Sequence, residues 1–318
     1  MKLSAPLFAL RSLSRSGLNA EVFIPAALEA LHRIVPSYRN LFDWTDAQGN
    51  LIRYYFEGPI DHRVAALYFE QFHNRLEGAV MPAFRQAVTG KAIIHGDTEL
   101  NRAEFFHSAL YNEIWRPQGL HTRLEAIVKD TRGTPLGSLV LYRGRGDRRF
   151  NADDERLLAS AVPYIARGIE AGQEAATAGD YVREAGRTAS LNLDPNGELS
   201  HLSQEALKML MLAHGGVTPE SVSRTPRRED FGALNLVWQH HLRSQGMSRE
   251  GTSVALANAW GKFVFTSEPL VPVGDAQPQF VHVAIQHLRP RIVAMRTVLD
   301  QLPLSPVQRE VCALLHQG

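Results

Sequence analysis

The sequence has almost no cysteine. Cys312 is the only one among 318 residues, so the chain cannot form an internal disulfide framework and cannot hold a cysteine-rich zinc site. This composition suits a reducing compartment, and we expect a cytoplasmic protein.

Long apolar runs and a strong excess of one charge are also lacking. The opening "MKLSAPLFALRSLSRSG" is too short and too interrupted by polar residues for a signal peptide or a membrane span. We therefore expect no membrane partner. The net charge is +1, so no overall basic field attracts nucleic acid, although large neutral domains can dilute a small basic module.

The motifs that identify common enzymes and metal sites are missing. The sequence has no P-loop, no G-x-S-x-G and no dinucleotide fingerprint between a strand and a helix. Its histidines make neither H-E-x-x-H nor another standard metal-ligand spacing. We expect no enzymatic activity, no metal and no cofactor.

The first half of the chain alternates predicted helices with two predicted β-hairpins. "SYRNLFDW" and "NLIRYYFEG" flank the turn signal "TDAQGN", and "HTRLEAIVKD" and "PLGSLVLYR" flank "TRGT". A helix near residues 24–35 precedes them, with Pro25 in its first turn. A second helix, capped by Asn151, follows them.

This order of elements resembles a GAF domain, in which helices cover an antiparallel sheet. The resemblance spans residues 20–172 and depends on element order and turn residues. It implies a ligand held between the sheet and the helices that cover it, where some of the aromatic side chains of this half could line a pocket. The candidate ligand-binding residues are Trp44, Tyr54, Phe72, Tyr111 and Trp115. The alternative is that most of them are core residues.

The second half shows a different series of elements. Two short strands in "ASLNLDPNGELSHLS" are followed by a helix with Ser203 as its cap, a second helix and three further strands. This resembles a PAS-like domain over residues 185–290. The asparagine usual at the start of the family's first helix is absent, and Ser203 and Gln204 stand near that place. No close repeat relates the two halves.

The last residues, "LSPVQREVCALLHQG", predict a complete amphipathic helix. Ser305, Pro306 and Gln308 supply the cap, the first-turn proline and the capping-box partner, and Gly318 stands at the C-cap position. The run resembles the opening helix of a LuxR-type helix-turn-helix domain. Its matching residues include Leu304, Ser305, Arg309, Glu310, Val311 and Gly318, whereas Val307 and Cys312 depart from the pattern.

The resemblance implies a DNA-binding domain whose remaining helices, including the recognition helix, would follow Gly318. We therefore expect the chain to be a fragment that does not bind DNA specifically, while the complete protein does. Without the remaining helices, we expect this first helix to be frayed or docked on the helix before it. The alternative to the helix-turn-helix start is an ordinary amphipathic terminal helix.

The segment "PRIVAMRTVLDQL" spaces Ile292, Met295, Leu299 and Leu302 at alternating three- and four-residue steps. This is the seam of a short coiled coil, so we expect a homodimer. The alternative is a helix that lies on the PAS-like domain.

Together these patterns predict an α+β protein with two antiparallel-sheet sensor domains joined by helices. The predicted limits are 1–175 for the GAF-like domain, 176–290 for the PAS-like domain, 291–303 for a linker helix and 304–318 for the truncated helix-turn-helix start. The resemblance implies a bacterial transcriptional regulator that couples a small-molecule effector to DNA binding. The alternatives are an enzyme with a GAF-like pocket and a ligand-binding module without an output domain.

Overall fold

The structure is a computed structural model, and it describes residues 4–172, 181–182, 188–244, 252–271, 273 and 280–317. Within these ranges the chain is an α+β protein with two antiparallel sheets joined by helices. The predicted fold class is therefore confirmed. The predicted boundary at 175/176 and the C-cap position Gly318 lie outside the described residues.

The first sheet has five strands in the order β2-β1-β5-β4-β3. Both predicted hairpins form, with β1 paired to β2 and β4 paired to β5. Asp46 and Asp130 close the two turns by accepting backbone N–H groups from the residues that follow them. The strands are β1 (Arg39–Thr45), β2 (Leu51–Phe56), β3 (Ile94–His95), β4 (Thr122–Lys129) and β5 (Pro135–Arg143).

Helices cover both faces of this sheet. On one face α2 and α7 contact the strands, and α1 packs on these two helices. On the other face lie α3, a π-helical turn at Tyr68–Phe72 that continues it, and a second π-helical turn at Leu110–Trp115. The helices of this half are α1 (Ala5–Leu13), α2 (Ala20–Leu31), α3 (His62–Leu67), α4 (Phe84–Thr89), α5 (Asp97–Leu100), α6 (Ala103–His107) and α7 (Ala152–Ala171).

The start of α2 differs from the prediction. The helix begins at Ala20, where the Asn19 side chain accepts a hydrogen bond from the Val22 N–H at 3.0 Å, and Pro25 therefore lies inside the helix. Pro25 is a stronger start signal in the sequence than Asn19, but burial of Phe23 on the core extends the helix toward the N-terminus. The cap of α7 is as predicted, since Asn151 and Asp154 form a capping box.

The second sheet has the order β8-β7-β11-β10-β9, and β6 pairs with β11 as well. When the strands of each sheet are counted along the chain, leaving β6 aside, both sheets have the order 2-1-5-4-3. The two halves thus share a strand order although their sequences show no close repeat. The strands are β6 (Tyr181–Val182), β7 (Thr188–Leu193), β8 (Leu199–Leu202), β9 (Thr252–Asn258), β10 (Gly261–Leu270) and β11 (Phe280–Pro290).

Helices α8 (Gln204–Ala213) and α10 (Gly232–Ser244) cover one face of the second sheet, and α9 (Pro219–Ser223) lies between them in the chain. The predicted cap of α8 forms, since Ser203 Oγ accepts a hydrogen bond from the Ala206 N–H at 3.1 Å.

The last two helices are α11 (Arg291–Gln301) and α12 (Pro306–Gln317). The predicted capping box forms between Ser305 and Gln308. Helix α12 docks on α11 and also on α1, where the Ser12 hydroxyl donates a hydrogen bond to Glu310. Helix α11 lies against β11 and β6 with Val293 and Leu299 buried, which agrees with the alternative of a helix that lies on the second domain. The homodimer stays a prediction.

Candidate functional site

A cavity of about 130 Å³ lies between the first sheet and the helical segments that cover one of its faces. Successive residues of a strand point to opposite faces. On β1, Leu41 and Asp43 therefore face the cavity, whereas Phe42 and Trp44 face the other side. The strand residues in the cavity wall are Leu41, Asp43, Leu51, Tyr54, Phe56, Arg123, Glu125, Val140 and Tyr142.

Two π-helical turns form part of the opposite wall. Tyr68 and Phe69 lie on the first turn, and Leu110, Ile114 and Trp115 lie on the second. We call α3 with its π-helical continuation, residues 62–72, the cover helix. A π-helical turn is rare and is frequently found at functional sites.

Five charged side chains line the cavity, although most of its wall is apolar or aromatic. They are Asp43 on β1, Asp61 at the N-cap of α3, Glu77 after the cover helix, and Arg123 and Glu125 on β4. Asp43, Glu77 and Glu125 are 7%, 3% and 2% exposed. Four carboxylates and one guanidinium give this wall an excess of negative charge when all are ionised.

Glu125 and Arg123 bind each other inside the protein. The guanidinium of Arg123 lies 3.3 Å from the Glu125 carboxylate, which also accepts a hydrogen bond of 2.6 Å from the Ser138 hydroxyl. Trp115 lies under the same guanidinium at 5.5 Å. Burial alone would lower the pKa of Arg123, but the field of Glu125 and the nearby acidic groups outweighs it and raises that pKa. Arg123 is therefore charged and paired with Glu125, while its buried Nε has no hydrogen-bond partner among the described residues.

Glu77 has a structural role. Its carboxylate accepts the backbone N–H groups of Asn74 at 2.8 Å and Phe84 at 2.7 Å, and the hydroxyl of Tyr68 at 2.9 Å. These bonds hold the segment after the cover helix against α4. Both oxygens of Glu77 are occupied by the protein itself.

Asp43 differs from these groups because none of the described residues donates a hydrogen bond to its carboxylate. Burial is the main cause that raises the pKa of Asp43 well above its ordinary value, and the nearby charge of Glu125 adds to the effect. Burial likewise raises the pKa values of Tyr54 and Tyr142. A polar group buried without a partner costs free energy, so this carboxyl group is a candidate for contact with a ligand.

His73 lies at the same wall. Its Nδ1 is 3.4 Å from the Tyr68 hydroxyl, and its ring lies 5.1 Å from that of Phe84. Burial lowers the pKa of His73 more than the charge of Glu77 raises it. The imidazole is therefore neutral near pH 7 and adds no positive charge to the cavity.

The structure brings two of the five predicted ligand-binding residues to the cavity. Tyr54 and Trp115 line it, whereas Trp44, Phe72 and Tyr111 do not. Phe72 is a core residue at the end of the cover helix, and the Tyr111 hydroxyl pairs with His121 Nδ1 at 2.8 Å. Trp44 faces the opposite side of β1, where its ring lies 5.6 Å from Trp260 of the second domain.

Aromatic density does not point to the charged residues of the cavity. Their signal in the sequence is a charge in the middle of an otherwise apolar strand, as in "NLFDWT" and "TRLEAIV". Strand alternation predicts which residues share a face with Asp43, Arg123 and Glu125, but it does not predict that helices cover that face.

The wall of the cavity contacts the second domain directly. The backbone N–H of Tyr54, on edge strand β2, donates a hydrogen bond of 2.9 Å to the Val217 carbonyl. Asp61, which caps α3, accepts a hydrogen bond of 3.0 Å from the Gln204 side chain at the start of α8. The cover helix also lies against α9. Three short connections therefore link the wall of the cavity to the second domain.

The residues of the predicted helix-turn-helix start lie far from this cavity in the chain and contact other groups. Ser305 caps α12, Arg309 donates to the Leu302 carbonyl at 3.1 Å, and Glu310 lies 3.7 Å from Arg296. Within the described ranges, no three His, Cys, Asp or Glu side chains are placed to share a metal ion. No helix among the described residues is both long and apolar enough to cross a membrane.

No protein-family model and no curated protein matches this chain. Among solved structures, it is similar to the DhaR(N)–DhaL complex of E. coli with a TM-score of 0.27 and 13% identity, over 87% of this chain and 86% of that one. It is also similar to the sensor region of a sensor histidine kinase, with a TM-score of 0.22 and 16% identity, over 51% of this chain and 63% of that one. At these TM-scores neither likeness establishes a shared fold.

Proposed function

We propose that this chain is a signal-sensing module whose first domain binds a small molecule in the cavity beneath the cover helix. The observation that supports this most directly is the Asp43 carboxyl group, which is 7% exposed, lines the cavity and has no donor among the described residues. A ligand that donates a hydrogen bond to Asp43 would gain binding free energy, because folding has already removed water from this carboxyl group.

The second domain receives the signal. Ligand binding favours the arrangement of the cover helix that fits the ligand, and α9 and α8 contact this helix and its cap. Helix α11 continues directly from β11, the central strand of the second sheet, and α12 docks on α11. A shift of the second domain would therefore change the position of α12.

The output that fits this arrangement is DNA binding by a LuxR-type helix-turn-helix domain of which α12 is the first helix. The capping box at Ser305 and Gln308 and the residues Arg309 and Glu310 support this proposal. Specific recognition of bases needs a further helix in the major groove. We expect that the chain by itself does not bind DNA specifically, and that a homodimer of the complete protein matches paired half-sites.

The proposal includes no catalytic step. The described side chains that line the cavity include no serine, threonine, cysteine or lysine to act as a nucleophile. The tyrosine hydroxyls there have raised pKa values, which keeps them protonated and weakly nucleophilic.

Thermal shift with a library of small metabolites tests the cavity as the ligand site. A ligand at 100 times its dissociation constant adds about 2.7 kcal/mol of stability. Ala65→Leu, on the cavity side of α3, should abolish this shift because it fills the cavity. Ala159→Leu, at an exposed position of α7, is the matched control and should leave the shift intact. Stabilisation that survives Ala65→Leu would place the ligand outside the cavity.

Gel shift on the promoter region of the protein's own gene tests the output. This chain is compared with a version extended through the codons that follow residue 318 in the gene. Specific binding by the extended version alone supports the proposal, and specific binding by this chain at low concentration contradicts it.

A further inference from the structure

We propose that the ligand of this cavity is a small alkylamine that carries a single aromatic ring, bound as the ammonium ion and paired with the Asp43 carboxylate. This inference rests on the proposed function of the cavity as a ligand site, and it names the chemical class that the site selects.

The excess of carboxylates around the cavity disfavours an anionic ligand. Of the five charged groups that line it among the described residues, Arg123 is the only cation, and it already faces Glu125 at 3.3 Å. Glu77 adds negative charge, and its oxygens are occupied by the protein. The field inside the cavity is therefore negative, and a cation is attracted whereas a carboxylate or phosphate is repelled.

The position of the cation is set by Asp43. Its cross-strand neighbours are Tyr54 on β2 and Ser138 on β5, but the Ser138 hydroxyl donates to Glu125 and is not available. The phenols of Tyr54 and Tyr142 face the same cavity. An ammonium group beside Asp43 would donate to the carboxylate, and its remaining N–H groups would have phenol oxygens within the same wall.

The rest of the ligand is defined by shape and by aromatic contact. The cavity of about 130 Å³ is close in size to engineered cavities that hold benzene. Trp115, Tyr54, Tyr68 and Phe69 supply aromatic faces and edges around it. These rings bind a second ring by offset or edge contacts and also stabilise a nearby cation.

Binding of such a ligand is coupled to a proton. Burial holds the pKa of Asp43 well above its ordinary value. The titratable groups in the same cavity wall are Glu125, Arg123, Glu77, Asp61, His73, Tyr54, Tyr68 and Tyr142. When the ammonium ion binds, the carboxyl O–H bond breaks, its proton passes to solvent, and the carboxylate pairs with the ligand. Affinity therefore rises with pH until Asp43 is ionised in the free protein.

Isothermal titration with three probes of nearly equal size tests the proposal: benzylamine, benzyl alcohol and benzoate. The wild type should bind benzylamine at least about 10-fold more tightly than benzyl alcohol, since a bond to a charged group contributes about 1.5–3 kcal/mol. Benzoate should bind the most weakly. Asp43→Asn and Asp43→Leu should each reduce the preference for the amine to within a few-fold. Asp153→Asn makes the same charge change at an exposed position of α7 and should preserve the preference.

The outcomes separate the ligand class from the proposed function. Equal or tighter binding of the alcohol or of benzoate, abolished by Ala65→Leu, would overturn the amine and leave the cavity as a ligand site. Amine binding that persists in Ala65→Leu, or a preference unchanged in both Asp43 variants, would also overturn the assignment. If none of the three probes binds the wild type, both the ligand class and the cavity as a ligand site are contradicted.

Discussion

The two domains share one strand order, yet the covered faces of their sheets are chemically different. On β10 of the second domain the covered positions are Phe263 and Phe265, both 0% exposed. On the corresponding strand of the first domain, β4, the covered positions are Arg123 and Glu125. The second domain shows that the corresponding strand can carry apolar side chains at its covered positions. The charges beneath the cover helix are therefore not required by the fold, and burying them costs stability.

A buried polar residue of the second sheet, His287, also differs from Asp43 in its hydrogen bonding. His287 is 9% exposed, but its Nε2 lies 2.9 Å from the Trp260 carbonyl and its ring stacks on Phe263. In the second domain the buried polar group has a partner within the protein. In the first domain the Asp43 carboxylate has none among the described residues, which is what a binding site needs and a structural core avoids.

The largest effect is expected where the two domains meet. Trp260 is 3% exposed, stacks with Tyr55 at 5.9 Å, contacts Trp44 at 5.6 Å and donates to the Gly215 carbonyl. Trp260→Ala should lower the free energy of unfolding by about 3–5 kcal/mol, because it removes a large buried ring and leaves a cavity. Chemical denaturation measures this loss. A loss below about 1 kcal/mol would mean that the interface does not hold the domains together.

The second prediction uses the pH dependence of the second domain. Burial lowers the pKa of His287 to about 4 from an ordinary 6.5, so the unfolded chain binds more protons than the folded one between these two values. Stability should therefore fall by up to about 1.4 kcal/mol for each pH unit below 6.5 until the pH reaches about 4. His287→Gln can still donate to Trp260 and should flatten this dependence, whereas His201→Gln, at an exposed position, should not. Parallel curves for His287→Gln and the wild type would contradict the account.

The third prediction is that Asp43 makes the stability of the protein fall as the pH rises, which is opposite to the effect of His287. Because the pKa of Asp43 is raised in the folded protein, the folded state binds more protons than the unfolded state above the ordinary pKa of an aspartate. This group therefore lowers stability as the pH rises, by up to about 1.4 kcal/mol for each pH unit in that window. Asp43→Asn should be more stable than the wild type near pH 7, and the gain should shrink toward acidic pH. Denaturation of both proteins between acidic and neutral pH measures it, and a destabilised Asp43→Asn at neutral pH would contradict the prediction.

The smallest effect is expected for filling the cavity in the ligand-free protein. Ala65→Leu places a larger apolar side chain where space exists, so the free energy of unfolding should change by less than about 1 kcal/mol. A packed core at this position would instead lose about 1–3 kcal/mol by overpacking. Chemical denaturation decides between the two, and the larger loss would contradict the presence of open space beside Ala65.

The sequence predicts the local elements well and the arrangement of the strands poorly. The hairpins and the caps at Asn151, Ser203 and Ser305 were correct because each depends on residues close together in the chain. The shared 2-1-5-4-3 order was not foreseen, because it depends on pairings such as β1 with β5 that bring together distant residues. The start of α2 was wrong because tertiary burial of Phe23 outweighed the signal at Pro25.

The site was predictable only in part. Aromatic density selected Tyr54 and Trp115, which line the cavity, but it also selected Trp44, which is one residue from Asp43 and therefore on the other face of β1. Long-range contacts, such as those of Trp260, determine which face of the first sheet lies under the cover helix and which face contacts the second domain. The unpartnered state of Asp43 could not be predicted, since it depends on the Ser138 hydroxyl being engaged by Glu125.

The most direct test of the account is the titration of the Asp43 carboxyl carbon by NMR, in protein labelled with ¹³C at aspartate and assigned by comparison with Asp43→Asn. In the ligand-free protein the account predicts a resonance that titrates well above the ordinary range of an aspartate. Saturating benzylamine should move this resonance to the position of the ionised carboxylate at neutral pH. If the carboxyl group is already ionised at mildly acidic pH without ligand, the claim that Asp43 is buried without a partner in the ligand-free protein is contradicted.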